Sequence, residues 1–175
     1  RVVLSSAFSA LASFLVFRSP DPRAAQSVMF WMLGSVAGAT WDSLWVAALV
    51  TVVIAVLMIA FSGWLDALAA GTDVARSLGI PDTRVRKALF VGNSVLVGVL
   101  VAVSGGIGFV GLVIPHMARL LVGDSHRSML PIAAAVGSLF LLWVDVGARV
   151  IAAPQEVPLG VVTGFIGAPI FLYLM

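Results

Sequence analysis

The chain has no cysteine, a single tyrosine and few charges, with only 10% of its 175 residues being Asp, Glu, Lys or Arg. The lack of cysteine excludes disulfides and thiolate metal ligands. It does not fix a compartment, since a bacterial inner-membrane protein needs neither. Ten basic residues against eight acidic ones leave a net charge of +2, too weak a positive field to suggest nucleic acid. No G-x-x-x-x-G-K-[ST] run occurs, so any ATP must be hydrolysed by a partner. The start carries no basic region, apolar core and cleavage site in signal-peptide order; its apolar beginning reads as a cut helix, with targeting information upstream. His116 and His126 make a poor metal site without cysteine. His116 reads as a structural histidine, and no metal or cofactor is expected.

What fills the chain instead is apolar: 61% of the residues are hydrophobic and the mean hydropathy is +1.14. That composition belongs in a bilayer, whose hydrocarbon core of about 30 Å takes about 20 helical residues to cross. Residues 43–65 and 157–175 are uncharged runs of spanning length, and 88–118 is uncharged but too long for one span. The spans in order are 2–17, 43–65, 88–104, 109–121, 129–150 and 159–175, which makes an all-α polytopic membrane protein of about six transmembrane helices in a single domain over 1–175. The connectors 66–87 and 122–128, with the adjoining helix end, hold Arg76, Arg84, Arg86, Lys87, Arg119 and Arg127, whereas the other side holds Arg18, Arg23 and Arg149. The basic excess therefore puts 66–87 and 122–128 in the cytoplasm.

On the first span Ser5, Ser9 and Ser13 recur at four-residue spacing and form one hydroxyl stripe. Such a stripe serves close helix packing or lines a pore. Trp31, Trp41 and Trp45 lie at the expected outer boundary and read as an aromatic belt, with substrate stacking as the alternative.

GGIGFVG at 105–111 spells a dinucleotide fingerprint through Gly106, Gly108 and Gly111. That fingerprint needs a strand before it and an acidic residue about 20 positions later. Here a membrane helix precedes it, so the nucleotide reading fails. These glycines, with Pro115, weaken helix continuity and predict a sharp turn into a short or broken helix. Irregular backbone in a membrane belongs where protein covers it or where it lines a cavity, so Gly106, Gly108, Gly111 and Pro115, together with the serine stripe, are candidates for a translocation pathway.

Between the second and third spans, Thr72 is a candidate N-cap, Gly79 a left-handed C′ residue and Pro81 a stop. They bound a helix of about two turns outside the bilayer, with Val74, Ala75 and Leu78 as one apolar face. An interfacial helix on lipid headgroups is the plain alternative. Asp145 and Arg149 stand four residues apart near the outer end of their span, where a helix ion pair is the plain explanation. Glu156 opens the last helix.

The runs GGIGFVGLVIPHMARLLVGDSHRSMLP (105–131), VDVGAR (144–149) and EVPLGVVTGFIGAPIFL (156–172), with FWMLGS (30–35) and LAAGTDVARSLGI (68–80), occur in this order. Together they resemble the C-terminal portion of the FecCD-type permeases, the membrane subunits of ABC importers for iron–siderophores, haem and cobalamin. The resemblance covers essentially the whole chain and implies roughly the last six helices of a ten-helix permease fold in a bacterial cytoplasmic (inner) membrane. It implies three protein partners: ATP-binding cassette ATPase subunits, a periplasmic or lipoprotein substrate-binding protein, and a second permease copy, identical or related. It also implies that 66–87 is a coupling segment of two short helices broken at Gly71, engaging the ATPase through Leu68, Gly71, Thr72, Val74, Ala75, Arg76, Leu78 and Gly79, with GDSHR near the ATPase too. Arg149 would pair with an acidic residue of the binding protein. Two other functions compete. An ion-coupled secondary transporter usually needs mid-depth acids, and here only Asp145 is on offer. A non-transporting scaffold would leave the Gly/Pro-broken helices unexplained.

Overall fold

The structure, a computed structural model, describes residues 22–151 and 157–174 together with isolated positions between 6 and 18. Ser5, Ser9 and Glu156 lie outside the described residues, and Ser13 is helical and exposed. The elements are α1 (Pro22–Met32), α2 (Trp41–Ala60), α3 (Ser62–Ala70), α4 (Thr72–Ser77), α5 (Asp82–Ser104), α6 (Val110–Val122), α7 (His126–Ile151) and α8 (Leu159–Leu174). Among the described residues there is no strand. Helices α2, α5 and α7 are long and apolar enough to cross a membrane, while α6 and α8 are shorter apolar helices.

Three boundaries differ from the sequence reading. The expected span 43–65 is two helices: α2 ends at Ala60, Phe61 leaves helical geometry at ψ 20°, and α3 starts at Ser62. The span expected from residue 88 begins at Asp82, so Arg84, Arg86 and Lys87 ride on the first turns of α5. The connector 18–42 contains α1, whose eleven residues are too few to signal a span.

Local chemistry accounts for several ends. The backbone N–H of Thr40 donates to the Ser43 hydroxyl at 3.2 Å, which is half of a capping box, and Asp42 lies in the first turn of α2. Helix α2 is apolar on all sides, as a helix surrounded by lipid or other helices must be. It exposes Val52, Val53, Val56 and Leu57.

Helix α2 packs on α5 and on α7, and α6, α7 and α8 pack on one another. At one end of the bundle lie α3, α4 and the turn 123–125. At the other end three helix termini meet. Ser35 donates its N–H to the Ser104 carbonyl at 2.9 Å, Leu159 to Gly34 at 2.8 Å and Gly160 to Leu33 at 3.0 Å. The orphan carbonyls after α1 thus satisfy the orphan amides that open α8. Gly105 turns the chain here at φ +68°, and a Cβ on it would run into the Trp31 carbonyl. Only glycine meets both demands.

The turn expected after residue 104 is therefore present, and its glycines divide into two groups. Gly106 approaches Gly34, where an added Cβ on Gly34 would lie 2.7 Å from the Gly106 carbonyl oxygen, whereas Gly108 and Gly111 face open space. Helix α6 is short, but Pro115 does not break it.

Candidate functional site

Residues 62–81 form a knuckle at the end of the bundle opposite the glycine junction. Gly71, at φ +129°, separates α3 from α4 and holds the cap position, so Thr72 is the first residue of α4 and not its N-cap. Helix α4 has only six residues, yet it is closed firmly. Gly79 sits at φ +74°, its N–H donates to the Arg76 carbonyl at 2.9 Å, and the Ile80 N–H reaches back to the Ala75 carbonyl at 3.0 Å. These two bonds are the Schellman pair, and the apolar contact that accompanies it is present as well. Ala67, Ala75 and Ile80 are buried together, with Leu68 and Val85 packed against them. Two helices too short to persist alone are thereby locked into one body.

Ala75 is fully buried in that small core, while Val74 is 43% and Leu78 65% exposed. The three residues do not share a face, in contrast to the sequence reading. Val74 and Leu78 are i, i+4 neighbours, and Ala75 lies one residue, about 100°, around the helix. Arg76 holds Asp82 through two hydrogen bonds, Nε to Oδ1 at 3.3 Å and Nη2 to Oδ2 at 3.2 Å. Arg76 is exposed while the Asp82 side chain is mostly covered, and a pair with one solvated partner orients α4 on the start of α5 more than it stabilises the fold. Behind the knuckle an apolar cleft of about 310 Å³ opens between α2, α3 and α5, lined by Ile54, Leu57, Trp64 and Leu89 among others.

The knuckle is also tied across the bundle. The Asp66 carboxylate accepts the His126 backbone N–H at 2.9 Å, contacts the His126 ring at Nδ1, and accepts the Ser125 hydroxyl at 3.4 Å. The His126 backbone N–H, followed by its ring, holds the Asp66 carboxyl below the usual aspartate value, against a smaller opposing effect of burial. Nothing in the sequence announced this contact. The two residues are 60 positions apart, and the only hint was an acid in the otherwise apolar WLDALAA.

Arg149 lies in the last turn of α7, where its Nε donates to Asp145 Oδ2 at 2.9 Å. At 1.5 Å per residue, Arg149 stands roughly 35 Å along α7 from His126. The knuckle and Arg149 therefore occupy opposite ends of a body about as deep as a bilayer core. His116 is exposed on α6, and Arg119 forms an exposed ion pair with Asp124 at 3.7 Å.

Among known protein families, the FecCD transport family matches residues 2–175. The chain belongs to that family. It is 38% identical to the cobalamin import system permease protein BtuC of Halobacterium salinarum, over 99% of this chain and 46% of that protein. It is 42% identical to the vitamin B12 import system permease protein BtuC of Vibrio cholerae, over 91% of this chain and 48% of that one. The Fe(3+)-citrate import system permease protein YfmD of Bacillus subtilis is 40% identical, over 85% of this chain and 45% of its own length. A solved inward-facing structure, assigned to the metal-chelate type of ABC transporter, superimposes with a TM-score of 0.91 at 36% identity, covering 99% of this chain and 56% of that one. The chain spans about half the length of the curated relatives it matches. Its helices are those of a FecCD permease, a multi-pass membrane protein.

Proposed function

We propose that the chain is part of the transmembrane permease subunit of a binding-protein-dependent ABC importer. It moves an iron–siderophore, haem or cobalamin-type substrate inward with ATP hydrolysed on a partner subunit. The observation that carries this reading is the knuckle: a preorganised two-helix body that presents Val74 and Leu78 outward from one end of the bundle. A rigid surface loses little ordering entropy on docking. Leu68, Gly71, Thr72, Ala75, Arg76 and Gly79 shape and lock that surface, and Val74 with Leu78 touches the ATPase.

The basic residues at the knuckle end make it cytoplasmic. Arg149, at the far end, then faces the side from which a binding protein delivers substrate. A second permease copy completes the pathway, with Ser13, Gly108, Gly111 and Pro115 as its lining within this chain. Relatives named for the import of cobalamin and Fe(3+)-citrate support that chemical class.

The test is uptake into proteoliposomes that hold the full-length permease with its ATPase and binding protein. Labelled cobalamin, haem and ferric siderophores are offered in turn. Accumulation of one of them that requires both internal ATP and the binding protein is expected. Accumulation driven by a proton gradient without ATP would establish the secondary-transporter alternative.

A further inference from the structure

The knuckle is joined covalently to α2 at Phe61 and to α5 through Pro81. Helices α6, α7 and α8 form the other packed group and are reached along the chain only through the turn at 105–109, at the far end of the bundle. Among the described residues, every hydrogen bond from residues 62–80 to the chain beyond α5 ends on Asp66.

We propose that Asp66 is a positioning residue for transport, fastening the ATPase-docking knuckle to the first turn of α7 so that displacement of the knuckle moves the α6–α7–α8 group. This rests on the reading of residues 62–81 as the docking surface.

The chemistry suits a fastening. The first amides of a helix have no partner within the helix and carry the positive end of its dipole, so a carboxylate is the strongest simple acceptor for them. The Ser125 carbonyl accepts the Met129 N–H at 2.9 Å and the Ser128 N–H at 3.2 Å, the first bonds of α7 itself, while its hydroxyl turns to Asp66. The His126 N–H is left for an acceptor from another element, and Asp66 takes it. The same carboxylate engages the imidazole and the Ser125 hydroxyl, so three donors from one turn converge on one side chain. Convergent contacts of this kind resist rotation, where a single bond acts as a swivel. Packing of α3 on α7 brings the two elements together, but an apolar contact slides more readily than a charge-assisted bond to a backbone amide.

Two variants of the full-length permease test the idea, each reconstituted with ATPase and binding protein. Asp66→Ala removes the acceptor. His126→Pro removes both the backbone N–H and the imidazole while leaving Asp66 in place, at a first-turn position that tolerates proline. Three quantities are read: co-purification of the ATPase, its hydrolysis rate, and substrate accumulated per ATP hydrolysed. The expected result is normal co-purification, hydrolysis within two-fold of wild type, and at least a five-fold fall in substrate per ATP in both variants. Asp66→Glu, which keeps the charge on a longer arm, recovers part of the loss. If a variant that assembles keeps the wild-type ratio, the fastening carries no motion and the proposal falls; where Asp66→Ala fails to assemble, His126→Pro alone decides. Failure of the wild-type permease itself to bind an ATPase would instead overturn the docking reading.

Discussion

Leu159 donates its backbone N–H to the Gly34 carbonyl at 2.8 Å, and next to this bond the Gly160 N–H reaches Leu33 at 3.0 Å. The start of α8 and the chain after α1 are in backbone contact, and a Cβ on Gly160 would run into the Leu33 carbonyl. Gly160→Ala is expected to destabilise the permease by about 1–3 kcal/mol, the usual cost of forcing atoms into a packed site. A lowered unfolding midpoint in detergent checks it. Wild-type stability would show that the junction opens freely.

Gly111 makes the opposite case, because nothing lies within 4 Å of a Cβ added there. Gly111→Leu is expected to leave the unfolding midpoint within the range of a neutral surface change, about 0.5 kcal/mol. If Gly111 lines the pathway, the same variant cuts uptake at least five-fold. Stable protein with unchanged uptake removes Gly111 from the lining.

Leu78 and Ala75 are expected to separate docking from folding. Leu78→Asp puts a charge on an exposed site of the knuckle, so the permease inserts and stays stable while ATPase co-purification is lost. Ala75→Asp buries a charge without a partner and destabilises the knuckle itself, by several kcal/mol. Limited proteolysis between α3 and α5 reads this directly, with Ala75→Asp cut faster and Leu78→Asp cut as wild type. A normal complex with Leu78→Asp would move the docking surface elsewhere.

Arg149→Glu is expected to slow association of the binding protein with nanodisc-held permease. The effect is larger at low salt than at high salt, because an exposed charge acts through screened attraction and on-rate. An acidic-to-basic change on the binding protein restores part of the rate. An unchanged association rate at both salt concentrations would confine Arg149 to its bond with Asp145.

Acid is expected to loosen the knuckle. The folded-state pKa of Asp66 is lowered from its ordinary 3.8. The stability this carboxylate adds is therefore complete above about pH 4 and is lost as pH falls through the folded value. Proteolysis of the knuckle from pH 7 down to pH 3 checks this: the rate rises at the acid end in wild type, and Asp66→Asn shows a smaller rise, the remainder coming from Asp82, which its bonds to Arg76 also hold below the ordinary value.

Features that depend on neighbours in sequence were legible, and those that depend on distant partners were not. The turn after Ser104, the shortness of α6 and the left-handed Gly79 follow from local backbone chemistry. The break at Phe61 has no proline but stands beside Ser62–Gly63, a pair that weakens helix continuity and is easily passed over inside a long apolar run. The side taken by Ala75 depends on Ala67 and Ile80. Alanine is apolar but small, and composition does not distinguish a docking surface from a contact between two short helices. The Asp66–His126 bond joins elements separated in sequence by α4, α5 and α6, and no periodicity reports such a pairing.

The glycine junction also bears on how the protein is made. The amides that open α8 find their acceptors on Leu33 and Gly34, in a stretch translated long before α8 itself. In a bilayer an unsatisfied amide is costly, so the start of α8 is fully bonded only with the chain after α1 in place. An early segment of the chain thereby supplies acceptors to a late one, so this junction closes only after the helices between them have been made.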